Sequence, residues 1–162
     1  MIQRIQTVYL LLVAVLSFAG LVSQIATYTV GEELVAAFGN FTFMAYGSCE
    51  SYQSTGPYAL GVLLILVIIL SCMSIMLFNY RMRQLRLTIL SSILLVGYIA
   101  VYALFAYFYR ENLDQMLSPT ASATFHPRFV ALFPVFSLIL NALAIHGIRK
   151  DEALVRSLDR LR

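Results

Sequence analysis

The sequence predicts an all-α membrane protein with four transmembrane helices, on the strength of its composition, its apolar runs and its charge placement. Of the 162 residues, 60% are hydrophobic and only 12% are charged, whereas soluble domains are about a quarter charged. The mean hydropathy is +0.83. We therefore expect a single membrane domain over residues 1–162.

Each predicted span is an apolar run of about 20 residues, enough for a helix to cross a hydrocarbon core of about 30 Å. A soluble four-helix bundle is the alternative, but residues 59–70 carry no polar side chain, and a soluble helix needs a wet face. Helix is the expected local structure because a spanning backbone must satisfy its own hydrogen bonds. The four spans are residues 5–25, 57–79, 87–109 and 129–148.

The first run also resembles a signal peptide, because Arg4 precedes it and Ser17-Phe18-Ala19 resembles a cleavage site. The run is long for that role, which favours a retained anchor.

Arginine and lysine placement predicts the orientation. Short connections rich in these residues stay in the cytoplasm, and only Arg110 and Arg128 fall on the opposite side of a four-span arrangement. Both termini are therefore predicted to be cytoplasmic. The predicted connections are the outer loops 26–56 and 110–128, the cytoplasmic loop 80–86 and the cytoplasmic tail 149–162.

The first outer loop predicts a small extracytoplasmic β-hairpin between helices 1 and 2. Residues 27–30 and 41–43 alternate polar with apolar or aromatic side chains, and Gly31-Glu32 and Gly39-Asn40 are turn signals. The second outer loop reads as a short amphipathic turn followed by an irregular stretch rich in Ser, Thr and Pro.

The tail predicts an amphipathic cytoplasmic helix, because Leu154, Leu158 and Leu161 share one helical face. A solvated helix end and a partner-docking helix both fit this pattern. The basic residues of the predicted inner face are candidates for partner or lipid contact: Arg81, Arg83, Arg86, Arg149, Lys150, Arg156 and Arg160.

No Asp, Glu or Lys lies inside any of the four apolar runs. Ionisable groups in the membrane usually mark proton relays and ion paths, so this composition argues against a proton-coupled transporter. Ser137 and Asn141, one turn apart after a Pro134 that should bend the fourth helix, form a candidate intramembrane polar site. Ordinary interhelical hydrogen bonding is the alternative. An aromatic stripe at Tyr98, Tyr102, Phe105 and Tyr109 is interpreted as helix packing, with lipid contact as the alternative.

The sequence carries no recognisable catalytic, cofactor or metal motif, so we predict no enzyme, no cofactor and no metal site. His126 and His146 fall on opposite sides of the membrane and cannot share a metal ion. Cys49 is predicted to lie in a polar loop and Cys72 deep in an apolar run. We therefore do not expect the two to form a disulfide with each other. Nucleic acid is not an expected partner, because the positive charges form no continuous face.

The two ends carry the most distinctive stretches, which read MIQRIQT and IRKDEALVRSLDRLR. Together they resemble an uncharacterised family of four-span inner-membrane proteins from Bacteroidetes-type bacteria, defined as a domain of unknown function. The resemblance implies a multi-pass protein of the bacterial inner membrane and implies no activity. It also directs attention to the face that carries both motifs.

We expect a non-catalytic accessory or scaffolding subunit of a larger membrane complex. Its partners would be the bilayer and either other membrane-protein subunits or further copies of the chain. A lipid- or small-solute-handling protein that uses Ser137, Asn141 and the aromatic stripe is the alternative. An enzyme acting through the outer carboxylates Glu111 and Asp114 is a third hypothesis.

Overall fold

Four long helices and a four-stranded sheet make up the computed structural model. It describes residues 2–46, 56–77, 80–116 and 122–159, and side chains over 5–46, 56–77, 80–115 and 122–153. The α-helices are α1 (Ile2–Val22), α2 (Tyr58–Met76), α3 (Arg81–Met116) and α4 (Phe133–Asp159). The strands are β1 (Ala26–Val30), β2 (Glu33–Phe38), β3 (Phe43–Ala45) and β4 (Thr124–Pro127).

Each α-helix contains an apolar stretch long enough to cross a membrane, so the fold is compatible with a multi-pass membrane protein. The helices form a bundle in which α1 packs against α2 and α4, and α3 packs against the same two helices. Large apolar side chains such as Phe18, Ile93 and Leu104 are at least 60% exposed. Several serine, threonine and asparagine side chains are buried among the apolar core residues, while the outer surface is largely apolar, as expected of helices that face lipid.

The strands form one antiparallel sheet in the order β3-β2-β1-β4, at one end of the bundle that we call the sheet end. Gly31, with φ of 63°, turns β1 into β2, so a hairpin is present between the first two helices. Its second strand is β2, which the sequence did not predict; the predicted strand at 41–43 is represented only by β3, which pairs with β2 and not with β1. The fold is mostly helical as predicted, but the prediction missed a four-stranded sheet, in which β4 also pairs with β1 from Ala26↔Pro127 to Thr29↔Thr124. The sheet therefore joins both of the long connections.

α3 differs most from its predicted span. Its 36 residues correspond to about 54 Å at 1.5 Å per residue, well beyond a hydrocarbon core of about 30 Å. The helix includes most of the predicted loop 80–86, and it continues through Met116, where the sequence suggested only a short turn. Arg81 therefore begins a helix instead of lying in a loop.

Pro134 does not bend the interior of a helix, as the sequence suggested. A 3-10 turn covers Phe129–Leu132, and α4 begins only at Phe133. Proline is well tolerated in a first helical turn, because backbone N–H groups there have no helical partner in any case. At its other end α4 runs to Asp159 as one helix, so the first part of the predicted tail continues the fourth span.

Candidate functional site

The N-terminal part of α1 and the C-terminal part of α4 are hydrogen-bonded to each other at the end of the bundle opposite the sheet. We call this the terminal end. The Gln6 side-chain amide of α1 donates a hydrogen bond of 2.8 Å from Nε2 to Oδ2 of Asp151 on α4. Both side chains are buried, at 5% and 6% exposure. A buried carboxylate is tolerated only when it is hydrogen-bonded, so this contact fixes the relative positions of α1 and α4.

Arg81 and Gly147 complete this arrangement, which we call the terminal clasp (Gln6, Arg81, Gly147 and Asp151). Arg81 donates from Nη1 to the Asp151 carbonyl oxygen at 3.0 Å and so brings the start of α3 to the same point. Gly147 leaves room for Gln6, since an added Cβ would lie 3.1 Å from Gln6 Cγ. The two distinctive end motifs therefore meet in space, a contact that the sequence did not predict.

Among the described side chains, four exposed cations lie at this end, and we call them the basic surface: Arg83 and Arg86 on α3 and Arg149 and Lys150 on α4. Within the described part of the chain, none of the four forms an ion pair with a carboxylate. The guanidinium carbon of Arg83 lies 4.9 Å from the ring centre of Tyr80, an exposed residue. Arg81, by contrast, already makes a bond within the chain. The Arg156 side chain and Arg160 lie outside the described residues.

In the candidate polar site inside the bundle, some polar atoms form hydrogen bonds between helices and others have no protein partner among the described residues. Asn141 Nδ2 donates to Ser91 Oγ of α3 at 3.2 Å. Ser74 and Thr88 hydroxyls lie 3.1 Å apart and join α2 to α3. Ser137 is fully buried on α4. The buried polar side-chain atoms without a protein partner among the described residues include Ser17 Oγ, Ser71 Oγ, Tyr102 OH, Ser137 Oγ and Asn141 Oδ1.

The turn between β2 and β3 inserts into the sheet end of the bundle through Asn40. The side chain of Asn40 is 2% exposed, and its Nδ2 donates to the Gly20 carbonyl of α1 at 2.7 Å. The Tyr98 hydroxyl of α3 donates to Asn40 Oδ1 at 2.9 Å. The side chain of Asn40 thereby connects the turn of the sheet to both α1 and α3.

Phe41, the next residue, anchors the same turn on α2. Its ring lies against Gly61 so closely that an added Cβ there would overlap the ring, and its carbonyl approaches Gly56 in the same way. Any side chain at Gly61 would therefore displace the turn from the bundle. The residues Gly39-Asn40 indicated a turn in the sequence, but nothing in the sequence indicated that this turn would be buried.

The aromatic stripe of α3 packs against the sheet. Phe43 stacks on Tyr109 with ring centres 4.2 Å apart, and Phe38 lies 5.4 Å from Tyr109 and 5.9 Å from Tyr102. Offset and edge-on aromatic pairs at these separations are favourable beyond the area they bury. These residues of the stripe thus face protein, which matches the packing interpretation of the stripe.

Tyr28 of β1 adds a polar contact between the sheet and α3. Its hydroxyl donates to the Ala106 carbonyl at 2.8 Å. Burial raises the pKa of the Tyr28 phenol well above its usual value, and the nearby Arg110 lowers it only in part. The phenol therefore remains protonated and continues to donate throughout the neutral pH range.

Asp114, one of the carboxylates at the sheet end, makes structural contacts. Asp114 Oδ1 accepts a hydrogen bond of 2.7 Å from the Ala123 backbone N–H, just before β4. Its other oxygen, Oδ2, lies 3.8 Å from Arg110 Nε. Asp114 therefore secures the return of the chain from α3 to the sheet. Over the described residues, no group of three or more His, Cys, Asp or Glu side chains is placed to hold a metal ion.

The sequence profile of a family described as a domain of unknown function matches residues 2–161. The chain belongs to this family, DUF4293. The match covers both end motifs except Met1 and Arg162, and it covers all four residues of the terminal clasp. No curated protein matches the chain. DUF4293 membership confirms the prediction of a family of unknown function, whereas the four-span inner-membrane character and the Bacteroidetes-type origin of that family stay predictions.

Proposed function

We propose that this DUF4293 protein is a non-catalytic accessory or scaffolding subunit of a larger membrane complex in a bacterial inner membrane. The observation that carries the proposal is the contrast at the terminal end between a buried clasp and an exposed basic surface. The clasp holds α1, α3 and α4 together, while the four cations beside it remain unpaired within the described chain. A rigid support that presents unpaired charge suits docking to an acidic partner surface.

The proposed orientation places the terminal end in the cytoplasm, following the positive-inside rule. Two exposed positions test it in a protein whose native cysteines are replaced by serine. Leu34→Cys reports on the sheet and Ala153→Cys on the terminal end. In intact spheroplasts, a membrane-impermeant maleimide should label the Leu34→Cys protein fully. The Ala153→Cys protein should be labelled only after permeabilisation, and the reverse pattern would invert the proposed topology.

Affinity isolation in a mild detergent, followed by mass spectrometry, tests the docking role. The variant with Arg83, Arg86, Arg149 and Lys150 all replaced by glutamine removes the basic surface and leaves the clasp unchanged. An exposed ion pair contributes about 0.2–1 kcal/mol, so losing four should weaken binding and lower partner recovery at least about fourfold.

The control for this experiment replaces cations at the sheet end, with Arg110→Gln and Arg128→Gln in one protein. Both residues are exposed, and they lie away from the basic surface. Partner recovery should match that of the wild type. A chain that purifies as a lone monomer, or a partner that survives loss of the basic surface, would contradict the proposal.

A lipid- or small-solute-handling role is the second candidate, and the unpaired Asn141 Oδ1 and Ser137 Oγ on α4 favour it. These atoms could bind the polar end of a solute between α3 and α4. The packing of Tyr102 and Tyr109 against Phe38 leaves the aromatic stripe less suited to an acyl chain. Copurified lipid lost on Asn141→Leu, with the basic surface intact, would favour this candidate over docking.

A further inference from the structure

A small cavity lies within the bundle, near the sheet end. Residues of all four α-helices line it, among them Ser17 and Gly20 of α1, Leu64 of α2, Tyr98 of α3 and Pro134 of α4. Its volume is about 10 Å³, close to the least space that admits one water molecule. The remaining lining is apolar, so any polar occupant must bind through a small number of groups.

The Ser17 hydroxyl is a buried polar group beside this cavity that has no protein partner among the described residues. The residue is 3% exposed. Serine hydroxyls in apolar helices usually bond a carbonyl one turn earlier in their own helix, and Ser17 does not. A buried polar atom without a partner calls for a specific explanation, of which a bound water is the commonest.

A chain of hydrogen bonds ends beside the same cavity. It runs from the Tyr98 hydroxyl to Asn40 Oδ1 at 2.9 Å, and from Asn40 Nδ2 to the Gly20 carbonyl at 2.7 Å. Tyr98 donates its only proton to Asn40, so its oxygen is left as an acceptor. Ser17 lies one turn before Gly20 on α1. Its hydroxyl is a donor on the same side of the cavity, whereas the Tyr98 oxygen is an acceptor without a donor in this series of hydrogen bonds.

We propose that the cavity binds one ordered water molecule between the Ser17 hydroxyl and the phenolic oxygen of Tyr98. The water accepts from Ser17 and donates to Tyr98, which closes a ring through Asn40 and Gly20. α1 and α3 sit diagonally across the bundle, each packed on α2 and α4. The ring therefore joins α1 to α3 through Asn40 on one side and through the water on the other. The water in the cavity thereby helps to hold the turn of the sheet in the bundle.

The Ser17→Ala variant distinguishes a bound water from an unoccupied gap by the sign of its effect on stability. With water bound, the variant removes one of its partners, and the apparent Tm in detergent should fall by about 2–4 °C. With a gap, removing an unpaired hydroxyl should leave the Tm unchanged or raise it. Ser92→Ala is the matched control, because its hydroxyl bonds the Thr88 carbonyl of its own helix at 2.9 Å.

Hydroxyl-radical footprinting by X-ray pulse provides the second measurement, since radicals formed from a bound water oxidise the side chains around it. Tyr98 should be oxidised in the folded wild-type protein several times faster than Tyr109, a tyrosine of α3 that is equally buried and lies away from the cavity. The Ser17→Ala protein should lose this difference. The proposal requires both results, and either an unchanged or raised Tm, or equal oxidation of Tyr98 and Tyr109, overturns it.

Discussion

Replacing Asn40 with leucine is expected to lower the free energy of unfolding by about 2–5 kcal/mol. Leucine branches at the same carbon as asparagine and removes its side-chain hydrogen bonds, of which those to Gly20 and Tyr98 are the shortest. The Gly20 carbonyl then loses a donor at 2.7 Å, and the Tyr98 hydroxyl loses its acceptor at 2.9 Å. Each buried group left unpaired costs about 1–3 kcal/mol, more than the bond itself contributes. Unfolding in a titration with SDS measures the change.

Asn112→Leu is the control for this substitution. Asn112 Nδ2 also donates to a backbone carbonyl, that of Phe108 at 2.8 Å, but on an exposed face of α3. Water replaces that bond, so the stability should change by less than about 0.5 kcal/mol. Tyr98→Phe should fall between the two, because Asn40 Oδ1 loses its donor while the bond from Asn40 to the Gly20 carbonyl is kept. Equal effects of Asn40→Leu and Asn112→Leu would show that the insertion of the turn contributes nothing to stability.

The sheet shows how far local sequence patterns predict this fold. The alternation in residues 27–30 and 41–43, with turn signals after the first run and before the second, predicted a hairpin, but the strand that pairs with β1 is Glu33–Phe38. β4 escaped prediction because its strand character comes from its partner: Thr29 and Thr124, 95 residues apart, join their hydroxyls at 2.9 Å. Pairing over such a distance leaves no local signal, and the four residues Thr124–Pro127 end in proline, which weakens the pattern further.

The extent of α3 was underestimated for a different physical reason. Hydropathy detects where lipid contact ends, and a helix does not have to end there. Beyond Tyr109 the helix continues in polar residues, with Arg110 Nε and Asp114 Oδ2 3.8 Å apart at helical i,i+4 spacing. The stacking of Phe43 on Tyr109 supports this extension from outside the helix. The i,i+4 pair lies within one segment of the sequence, but the contact of Phe43 with Tyr109 joins distant segments, and a hydropathy window along α3 cannot detect it.

The candidate site was predicted only in part, because charge alone does not separate exposed from engaged side chains. Arg81 and Arg83 looked equivalent in sequence, yet Arg81 reaches the Asp151 carbonyl while Arg83 is exposed beside Tyr80. Helical periodicity explains the difference, since two positions along a helix face different sides. The contact between Gln6 and Asp151 spans 145 residues and needs Gly147 as well.

Replacing Asp151 with alanine is expected to lower the free energy of unfolding by about 1.5–3 kcal/mol, the usual contribution of a hydrogen bond to a charged group. The Gln6 amide, 5% exposed, is left without its acceptor, and α1 loses its polar contact with α4. Arg81 should retain its bond, because that bond is to the backbone carbonyl of residue 151. SDS-induced unfolding again measures the change.

Asp151→Asn separates the hydrogen bond from the charge, because its side-chain oxygen still accepts from Gln6. It should recover most of the loss, whereas Lys150→Ala, at an exposed position next along α4, should change stability by less than about 0.5 kcal/mol. In a double-mutant cycle, Gln6→Ala should cost much less when Asp151 is already alanine. Additive effects would mean that the two side chains act independently. With coupling, Asp151→Ala should also reduce recovery of a docked partner, since the basic surface keeps its charges but α4 loses the contact with α1 that helps to hold it in place.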